Sequence, residues 1–210
     1  MGRFISFRTI LSPILGGVLI GASASISADP AGDARAIIES TSEKIICAMH
    51  NAREKEDGDP ANLRGQIEAI LVPHIDAIAM SRMALGDHWI NASKDQKIAF
   101  AKQFRRLLAR SYSTALAGYE GEIIEYRNGE ISGGGKEATV RTEVFPKTGP
   151  SVPIHYTMSF YDDRWRMADV RIDGASLIAN HSVNFTAQIQ QGGIDNVIEQ
   201  LRRHNRIDGA

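Results

Sequence analysis

The longest helical pattern in the sequence is LGDHWINASKDQKIAFAKQFRRLLARSYSTALAGYEG, residues 85–121. Ser93 and Gln96 have the spacing of a capping box, in which each side chain satisfies the other residue's backbone N–H, so the helix should begin here. Apolar and small residues then recur every three or four positions, at Phe100, Phe104, Leu107, Leu108, Ser111, Tyr112, Ala115, Leu116 and Tyr119. This pattern is one face of an α-helix, about 25 residues and roughly 37 Å long. Gly118 and Gly121 are candidate ends for it.

The segments before this helix also have helical patterns. Residues 34–53 carry an apolar stripe and predict a first helix, and a second helix should begin at Pro60. Pro73 should interrupt that second helix, because proline cannot donate the backbone hydrogen bond that a helix interior needs. Asp76 can cap a third helix that ends at Gly86.

After Gly121 the apolar period changes from helical to two, which is typical of strands. Four strands are predicted, over residues 123–126, 138–145, 152–161 and 165–172. Short polar or glycine-containing links join them, so the sheet should be an antiparallel meander. The alternation changes phase within the last strand. Its inward residues are first the odd-numbered Trp165 and Met167 and then the even-numbered Val170 and Ile172. A β-bulge near Ala168–Asp169 is therefore predicted.

Helical patterns return at the C-terminal end. Gly174 should end the sheet, Ser176 should cap a further helix, and Gly192–Gly193 should stop it before a short last helix. The fold class expected is α+β, with a helical subdomain packed on one face of a curved antiparallel sheet. Residues 29–210 should form a single domain, mainly helical over 29–120, a sheet over 121–174 and C-terminal helices over 175–210.

The N-terminus has the pattern of a secretory signal peptide. Arg3 and Arg8 precede the apolar stretch 10–22, and small residues follow it. Cleavage after Ala28 would remove residues 1–28 and place the mature protein in the periplasm. The loss of two arginines takes the formal net charge from −1 to −3. A charge this close to neutral does not favour nucleic acid as a partner.

The sequence contains few candidates for a disulfide, a metal site or a catalytic site. Cys47 is the only cysteine, and with His50 it would supply two zinc ligands at most, so neither an internal disulfide nor a metal site is predicted. Asp169 and Asp173 would lie roughly 13 Å apart along a strand, too far for a glycosidase pair. No catalytic residue and no cofactor is predicted. A lipid-ester hydrolase that uses Asp169, His155 or Ser176 remains an alternative.

Several short strings together resemble the MlaC family of periplasmic phospholipid-binding proteins, also described as toluene-tolerance or ABC-transporter auxiliary proteins. The similar strings are Val72-Pro73 with Asp76, Leu85-Gly86-Asp87-His88-Trp89, Ser93 to Gln96, Phe100, Phe104, Leu108, Tyr112, Trp165 with Asp169, Gly174-Ala175-Ser176-Leu177, Phe185, and Gly193-Ile194-Asp195 with Leu201. They occur in order along nearly all of the mature chain, which makes the combination more specific than any one string.

The resemblance implies a fold and a function. The fold would be a nuclear-transport-factor-like sheet with helices, and an apolar cavity between them would hold phospholipid tails. The protein would be a monomeric, non-enzymatic carrier between an inner-membrane ABC transporter complex and an outer-membrane lipoprotein complex. A hopanoid carrier of the same family and a structural envelope adaptor with a filled core are further alternatives.

The residues expected to contact lipid come from the long helix that begins at Ser93, the inward face of the strands and the C-terminal helix. They are Phe104, Leu108, Tyr112, Tyr156, Met158, Phe160, Val170, Ile172 and Phe185. The opposite face of the long helix is basic, and Arg105, Arg106 and Arg110 are candidates for docking to acidic partners.

Overall fold

The computed structural model describes residues 30–54, 59–117 and 121–207. The predicted signal peptide, residues 1–28, lies outside these ranges, as do Gly118 and Tyr119 at the predicted end of the long helix. Across the described residues, no helix is both long and apolar enough to cross a bilayer.

Five helices form the N-terminal part of the described chain. They are α1 (Pro30–Arg53), α2 (Pro60–Leu71), α3 (Ala77–Leu85), α4 (Asp87–Asn91) and α5 (Lys94–Ala117). The predicted interruption at Pro73 is confirmed, because α2 ends in a single 3₁₀ turn that contains this residue. Asp76 caps α3 as predicted, and its side chain accepts a hydrogen bond from the backbone N–H of Ala79 at 2.9 Å.

The capping box that starts α5 is confirmed. The backbone N–H of Ser93 donates to Oε1 of Gln96 at 3.0 Å, and that of Gln96 donates to Oγ of Ser93 at 3.2 Å. Phe100 and Phe104 on the apolar stripe have no exposed surface. The amphipathic pattern thus places the aromatic face of α5 in the core.

The sheet contains five antiparallel strands in the order of the chain. They are β1 (Ile123–Ser132), β2 (Glu137–Phe145), β3 (Val152–Tyr161), β4 (Arg164–Ile172) and β5 (Ala175–Ser176). The prediction that the first strand ends at Tyr126 was wrong. Asn128 and Gly129 do not end β1, because a register shift between Arg127 and Glu130 accommodates them within the strand.

The predicted bulge in the fourth strand is confirmed at Ala168. Thr157 pairs with Asp169 and the next residue, Met158, pairs with Met167, so Ala168 is the extra residue of β4. Trp165 and Met167 are buried on one side of the bulge, and Val170 continues the inward face on the other side. One inserted residue therefore keeps both halves of β4 apolar towards the core.

The described helices lie against the inner face of the sheet, and the α+β architecture expected from the sequence is confirmed. The opposite face carries exposed cross-strand ion pairs, between Arg127 and Glu143 at 2.7 Å and between Arg141 and Glu130 at 2.6 Å. Antiparallel sheets commonly have this one-sided burial.

The edge of β4 is shared by two partners. β5 pairs with residues 171 and 172, and Ile75 forms an isolated parallel bridge with Met167 further along the same edge. The backbone N–H of Asp76 donates to the carbonyl of Met167 at 2.8 Å. The junction between α2 and α3 is thereby fixed beside the bulge.

The C-terminal helix α6 runs from Leu177 to Ile207. The stop predicted at Gly192–Gly193 is present as a kink, where Gly193 has φ 75°. Ser176 caps the helix as predicted, because its Oγ accepts from the backbone N–H of Ala179 at 3.0 Å. Helix α6 packs against α3 and α5, and so completes the helical layer.

Candidate functional site

The helical layer does not fill the space beneath the sheet. A cavity of about 260 Å³, here named the inner cavity, lies between the strands and the helices. Helix α1 contributes Ile38, Thr41, Ser42 and Ile45, and α5 contributes Leu108, Ala109, Tyr112 and Leu116. Leu71, Ile75 and Met80 form the side towards α2 and α3.

The sheet side of the inner cavity is formed by two strands and the start of α6. Ile154 and Tyr156 come from β3, and Met167, Val170 and Ile172 come from β4. Leu177 and Ile178 complete the wall. Among the residues that the structure describes, no side chain lining the inner cavity is acidic or basic, so the cavity suits an apolar ligand.

A second space of about 370 Å³, here named the outer cavity, lies beneath the ends of β1, β2 and β3. It shares five lining residues with the inner cavity: Ser42, Ile45, Leu116, Ile154 and Tyr156. Because one set of side chains borders both spaces, the two cavities are neighbours along the inner face of the sheet.

The two cavities differ in their access to solvent. Most of the inner lining is buried, including Ile38, Leu71 and Leu108. Most of the outer lining is partly exposed, including Ile46 and Ile124. The outer cavity is therefore the more solvent-accessible of the two.

The structure places five of the nine predicted lipid-contact residues on the inner cavity wall. They are Leu108, Tyr112, Tyr156, Val170 and Ile172. Helical spacing on α5 and alternation on β3 and β4 predicted the inward face of all three elements. Ile172 is 36% exposed, so it stands at an edge of the wall.

The other four predicted residues do not line either cavity. Phe104 and Phe185 pack into an aromatic cluster with Phe100, with ring centroids 5.2–5.4 Å apart. Helix α6 thus covers the first half of the α5 stripe, which leaves only the second half for the cavity. Met158 is fully buried, and Phe160 packs on the ring of Trp165 at 5.2 Å.

Helix α1 was missed by the sequence-based assignment of the site. Its apolar stripe was apparent from the sequence, and Ile38, Thr41 and Ile45 are buried. Nothing in the pattern of a single helix indicates whether its stripe meets side chains or an empty space. The contacts of α1 with β1, β2 and β4 decide this, and they join residues far apart in the sequence.

Two tyrosines, Tyr112 and Tyr156, line the cavities, and Tyr126 lies close to them on β1. Burial raises the pKa of Tyr156 to about 12, and a hydrogen bond with Thr142 partly opposes this shift. Burial also raises the pKa of Tyr112, with a smaller contribution from the charge of Asp169. Burial raises the pKa of Tyr126 in the same way, while a hydrogen bond with Ser42 lowers it. At neutral pH all three phenols therefore remain uncharged.

The basic residues proposed for docking have different surroundings. Arg106 is exposed and Arg105 is partly exposed on α5. Arg110 is turned towards the C-terminal helix, where Nη1 donates to the backbone carbonyl of Asn205 at 2.7 Å. Arg110 therefore joins α5 to the end of α6, and the docking prediction rests on Arg105 and Arg106.

Of the three residues considered for hydrolysis, two accept hydrogen bonds at the start of α6 and the third points away from the inner cavity. Oγ of Ser176 and Oδ1 of Asp169 both accept hydrogen bonds from the first turn of α6, from Ala179 and Ile178. His155 lies between Arg141 and Arg171 in the strand register, on the face that alternates with Tyr156. The inward face carries the cavity, so His155 points away from it.

Comparisons with known proteins agree with this architecture. The family described as MlaC protein matches residues 39–203, more than three quarters of the chain. The toluene tolerance protein ttg2D of Pseudomonas putida is 22% identical over 160 residues, which cover 76% of this chain and 74% of that protein.

A solved structure has the same fold. It is a phospholipid-binding protein from Ralstonia solanacearum in complex with a phospholipid, and it aligns with a TM-score of 0.69 and 21% sequence identity. The alignment covers 85% of this chain and 99% of that one. The family match over most of the chain confirms the resemblance found in the sequence: the protein belongs to the MlaC family.

Proposed function

We propose that this protein binds a phospholipid in the periplasm, with the acyl chains in the inner and outer cavities and the headgroup in solvent. The observation that carries the proposal is the uncharged lining of the inner cavity, which adjoins a more exposed outer cavity. The solved relative that shares the fold is itself a phospholipid-binding protein. Family membership supports the same ligand class.

The energetics of the cavities fit this ligand. The outer cavity, at about 370 Å³, lies at the lower end of the range for small-molecule pockets, about 300–1,000 Å³, and the inner cavity, at about 260 Å³, lies just below it. Each buried methylene contributes about 0.8 kcal/mol. Ten buried methylenes would thus supply about 8 kcal/mol, which corresponds to roughly micromolar affinity before the entropic cost of binding. No charged contact inside the cavity is needed.

Native mass spectrometry of gently purified protein tests the proposal. Wild-type protein should carry a molecule with the mass of an intact phospholipid, and stripped protein should take up added phospholipid. A hopanoid would be recognised by its different mass. A chain that contains no lipid and refuses added lipid would contradict the proposal.

A variant with a filled cavity supplies the matched test of location. Ala109→Phe places a ring in the inner cavity, because Ala109 is 1% exposed and lies on its wall. We expect lipid uptake to fall at least tenfold, while circular dichroism shows a folded protein. Ala36→Phe, at an exposed position of α1, makes the same chemical change outside the cavity and should bind lipid normally.

Transport between membranes forms a second part of the proposal. The chain would receive or deliver lipid at an inner-membrane ABC transporter complex and at an outer-membrane lipoprotein complex. Arg105 and Arg106 offer a basic, accessible patch on α5 for such docking. The double variant Arg105→Glu/Arg106→Glu should weaken binding to the purified complexes. Arg64→Glu/Arg82→Glu changes the net charge equally at exposed positions and should leave binding unchanged.

A further inference from the structure

We propose that Tyr112 donates a hydrogen bond to an ester carbonyl of the bound lipid, so that the protein prefers acyl-ester lipids to their ether-linked analogues. This inference rests on the proposed function and adds to it the linkage that the cavity recognises. The hydrogen bonds of the other hydroxyl groups in the lining and the position of Tyr112 on α5 support the assignment.

The inner cavity is lined by four hydroxyl-bearing residues, within the part of the chain that the structure describes. They are Thr41, Ser42, Tyr112 and Tyr156. On α1, Oγ1 of Thr41 donates to the backbone carbonyl of Ile37 at 2.6 Å, and Ser42 is hydrogen-bonded to Tyr126 of β1. Both hydroxyl groups of the helix side therefore have partners in the protein itself.

The phenol of Tyr156 on β3 is also paired. Oγ1 of the buried Thr142 donates to the backbone carbonyl of Ile154 at 3.2 Å, so the proton of this hydroxyl group is already used. The hydrogen bond between Thr142 and Tyr156 then takes the proton of the tyrosine. Tyr156 thus has no proton left to donate to a ligand.

Tyr112 differs from the other three residues. Its phenol makes no hydrogen bond with any residue that the structure describes, although its side chain is partly buried and lines an apolar space. Asp169 acts on it only through its charge, while Oδ1 of Asp169 accepts from the backbone N–H of Ile178. Buried polar groups in proteins nearly always have a partner, in the protein or in solvent. A ligand that fills the cavity displaces water, so the acceptor must then belong to the ligand.

The position of Tyr112 indicates which part of a lipid would meet it. Leu116, one helical turn further along α5, lines both cavities, whereas Leu108, one turn earlier, lines only the inner one. Tyr112 therefore lies about one turn, roughly 5.4 Å, inside the junction of the two cavities. With the headgroup on the solvent side, the ester groups reach this junction and the chains continue past Leu108. An ester presents a carbonyl oxygen there, and an ether does not.

A competition between two lipids that differ only in linkage tests the assignment. Stripped protein is mixed with vesicles that contain equal amounts of dihexadecanoyl and dihexadecyl phosphatidylcholine. Native mass spectrometry separates the two complexes by mass and gives the bound ratio. Wild-type protein should prefer the ester lipid by about three- to tenfold, which is the typical net effect of one uncharged hydrogen bond.

A single substitution attributes the preference to the hydroxyl group. Tyr112→Phe keeps the ring and removes the donor, so the bound ratio should come close to one through weaker binding of the ester lipid. Tyr161→Phe is the matched control, because it makes the same change at a tyrosine that is 64% exposed and lines neither cavity. This control should retain the preference of the wild type.

Infrared spectroscopy supplies a second test that does not depend on the folding of a variant. Wild-type protein is loaded with the ester lipid labelled with ¹³C at its carbonyl groups. A hydrogen-bonded carbonyl absorbs at a lower frequency than a free one, so at least one carbonyl band should be lowered relative to the same lipid in a hydrocarbon solvent. A spectrum without a lowered band would contradict the contact.

The outcomes distinguish this proposal from the one on which it rests. Equal binding of both lipids by wild-type protein, or a preference that survives Tyr112→Phe in folded protein, would overturn the carbonyl contact alone. Failure of wild-type protein to take up either lipid would instead overturn the proposed function.

Discussion

The carboxylate of Asp169 accepts a hydrogen bond from the backbone N–H of Ile178 at 3.3 Å, although Asp169 is only 1% exposed. Asp169 directly follows the bulge residue of β4, and Ile178 lies in the first turn of α6 on the wall of the inner cavity. One buried acceptor thus fixes the start of a helix against the sheet. Nε of Arg171, at 3.8 Å, is the nearby cation.

Replacement of Asp169 by alanine should destabilise the protein by about 2–3 kcal/mol, because it removes a charged acceptor and leaves a buried N–H unsatisfied. Asp169→Asn retains an oxygen acceptor and should lose less stability than the alanine variant. The free energy of unfolding from urea titrations measures both changes. An alanine variant as stable as the wild type would show that this contact does not hold α6.

The starts of α5 and of the segment after the Gly193 kink are also joined. Nε2 of Gln96 donates to both carboxylate oxygens of Asp195 at 3.1 Å, while Oε1 of the same residue completes the capping box. Gln96→Ala should therefore lower the free energy of unfolding more than Ser93→Ala, which should lower it by about 1 kcal/mol. A double-mutant cycle of Gln96→Ala and Asp195→Ala should give a coupling energy above about 0.5 kcal/mol. Additive losses in urea unfolding would refute the link.

Deletion of Ala168 should abolish the folded state. Without the extra residue, either half of β4 must shift by one position, so that Trp165 and Met167 or Val170 and Ile172 would turn to the solvent side. Circular dichroism and a thermal melt would detect the loss of a cooperative transition. Deletion of Gly149, in the exposed β2–β3 loop, is the control and should leave the protein folded. A folded Ala168 deletion would contradict the role assigned to the bulge.

Alkaline pH should destabilise the protein through its partly buried tyrosines. The folded-state pKa of Tyr156 is about 12 and those of Tyr112 and Tyr126 are also raised, whereas tyrosine in the unfolded chain ionises near 10. The unfolded state therefore binds fewer protons above pH 10, and stability falls as the pH rises. Each such tyrosine contributes at most about 1.4 kcal/mol per pH unit.

Two variants make this alkaline prediction specific. Tyr156→Phe should reduce the slope of stability against pH between about 10 and 12. Tyr161→Phe, at a tyrosine that is 64% exposed, should not change the slope. Absorbance titration of tyrosinate in the folded protein should show the raised pKa directly.

Mild acid should also weaken the fold, through histidine. Burial lowers the pKa of His181, whose ring stacks on Phe185, and burial together with Lys44 lowers the pKa of His74. Below about pH 6.5 the unfolded chain takes up protons before these folded-state groups do, so stability decreases as the pH falls. His181→Leu should reduce this loss between about pH 6.5 and 5, as measured by urea unfolding. An unchanged pH dependence would exclude His181 as a source of the loss.

The sequence predicts the elements whose causes are local. Ser93 with Gln96, Asp76 before α3 and Pro73 act on neighbouring backbone groups, so their effects can be read from spacing. The bulge at Ala168 was predictable for the same reason, because a change of phase within one strand requires an extra residue. Asn128-Gly129 was misread because the same residues suit a turn or a strand irregularity, and pairing with β2 decides between the two.

The site was only half predictable. Periodicity places Phe104 and Leu108 on one face of α5, yet α6 covers the first and a cavity adjoins the second. Which part of an apolar stripe stays uncovered depends on contacts between distant elements. The contribution of α1 follows from those contacts, and not from any motif.

An unfilled apolar space carries an energetic deficit, because its walls lack the dispersion contacts that close packing would provide. Any molecule that occupies the inner cavity must therefore raise the melting temperature, in proportion to the logarithm of its concentration over its dissociation constant. The ligand-free protein is therefore expected to melt at a lower temperature than the ligand-bound protein. The melting temperature thus shows whether the inner cavity is occupied.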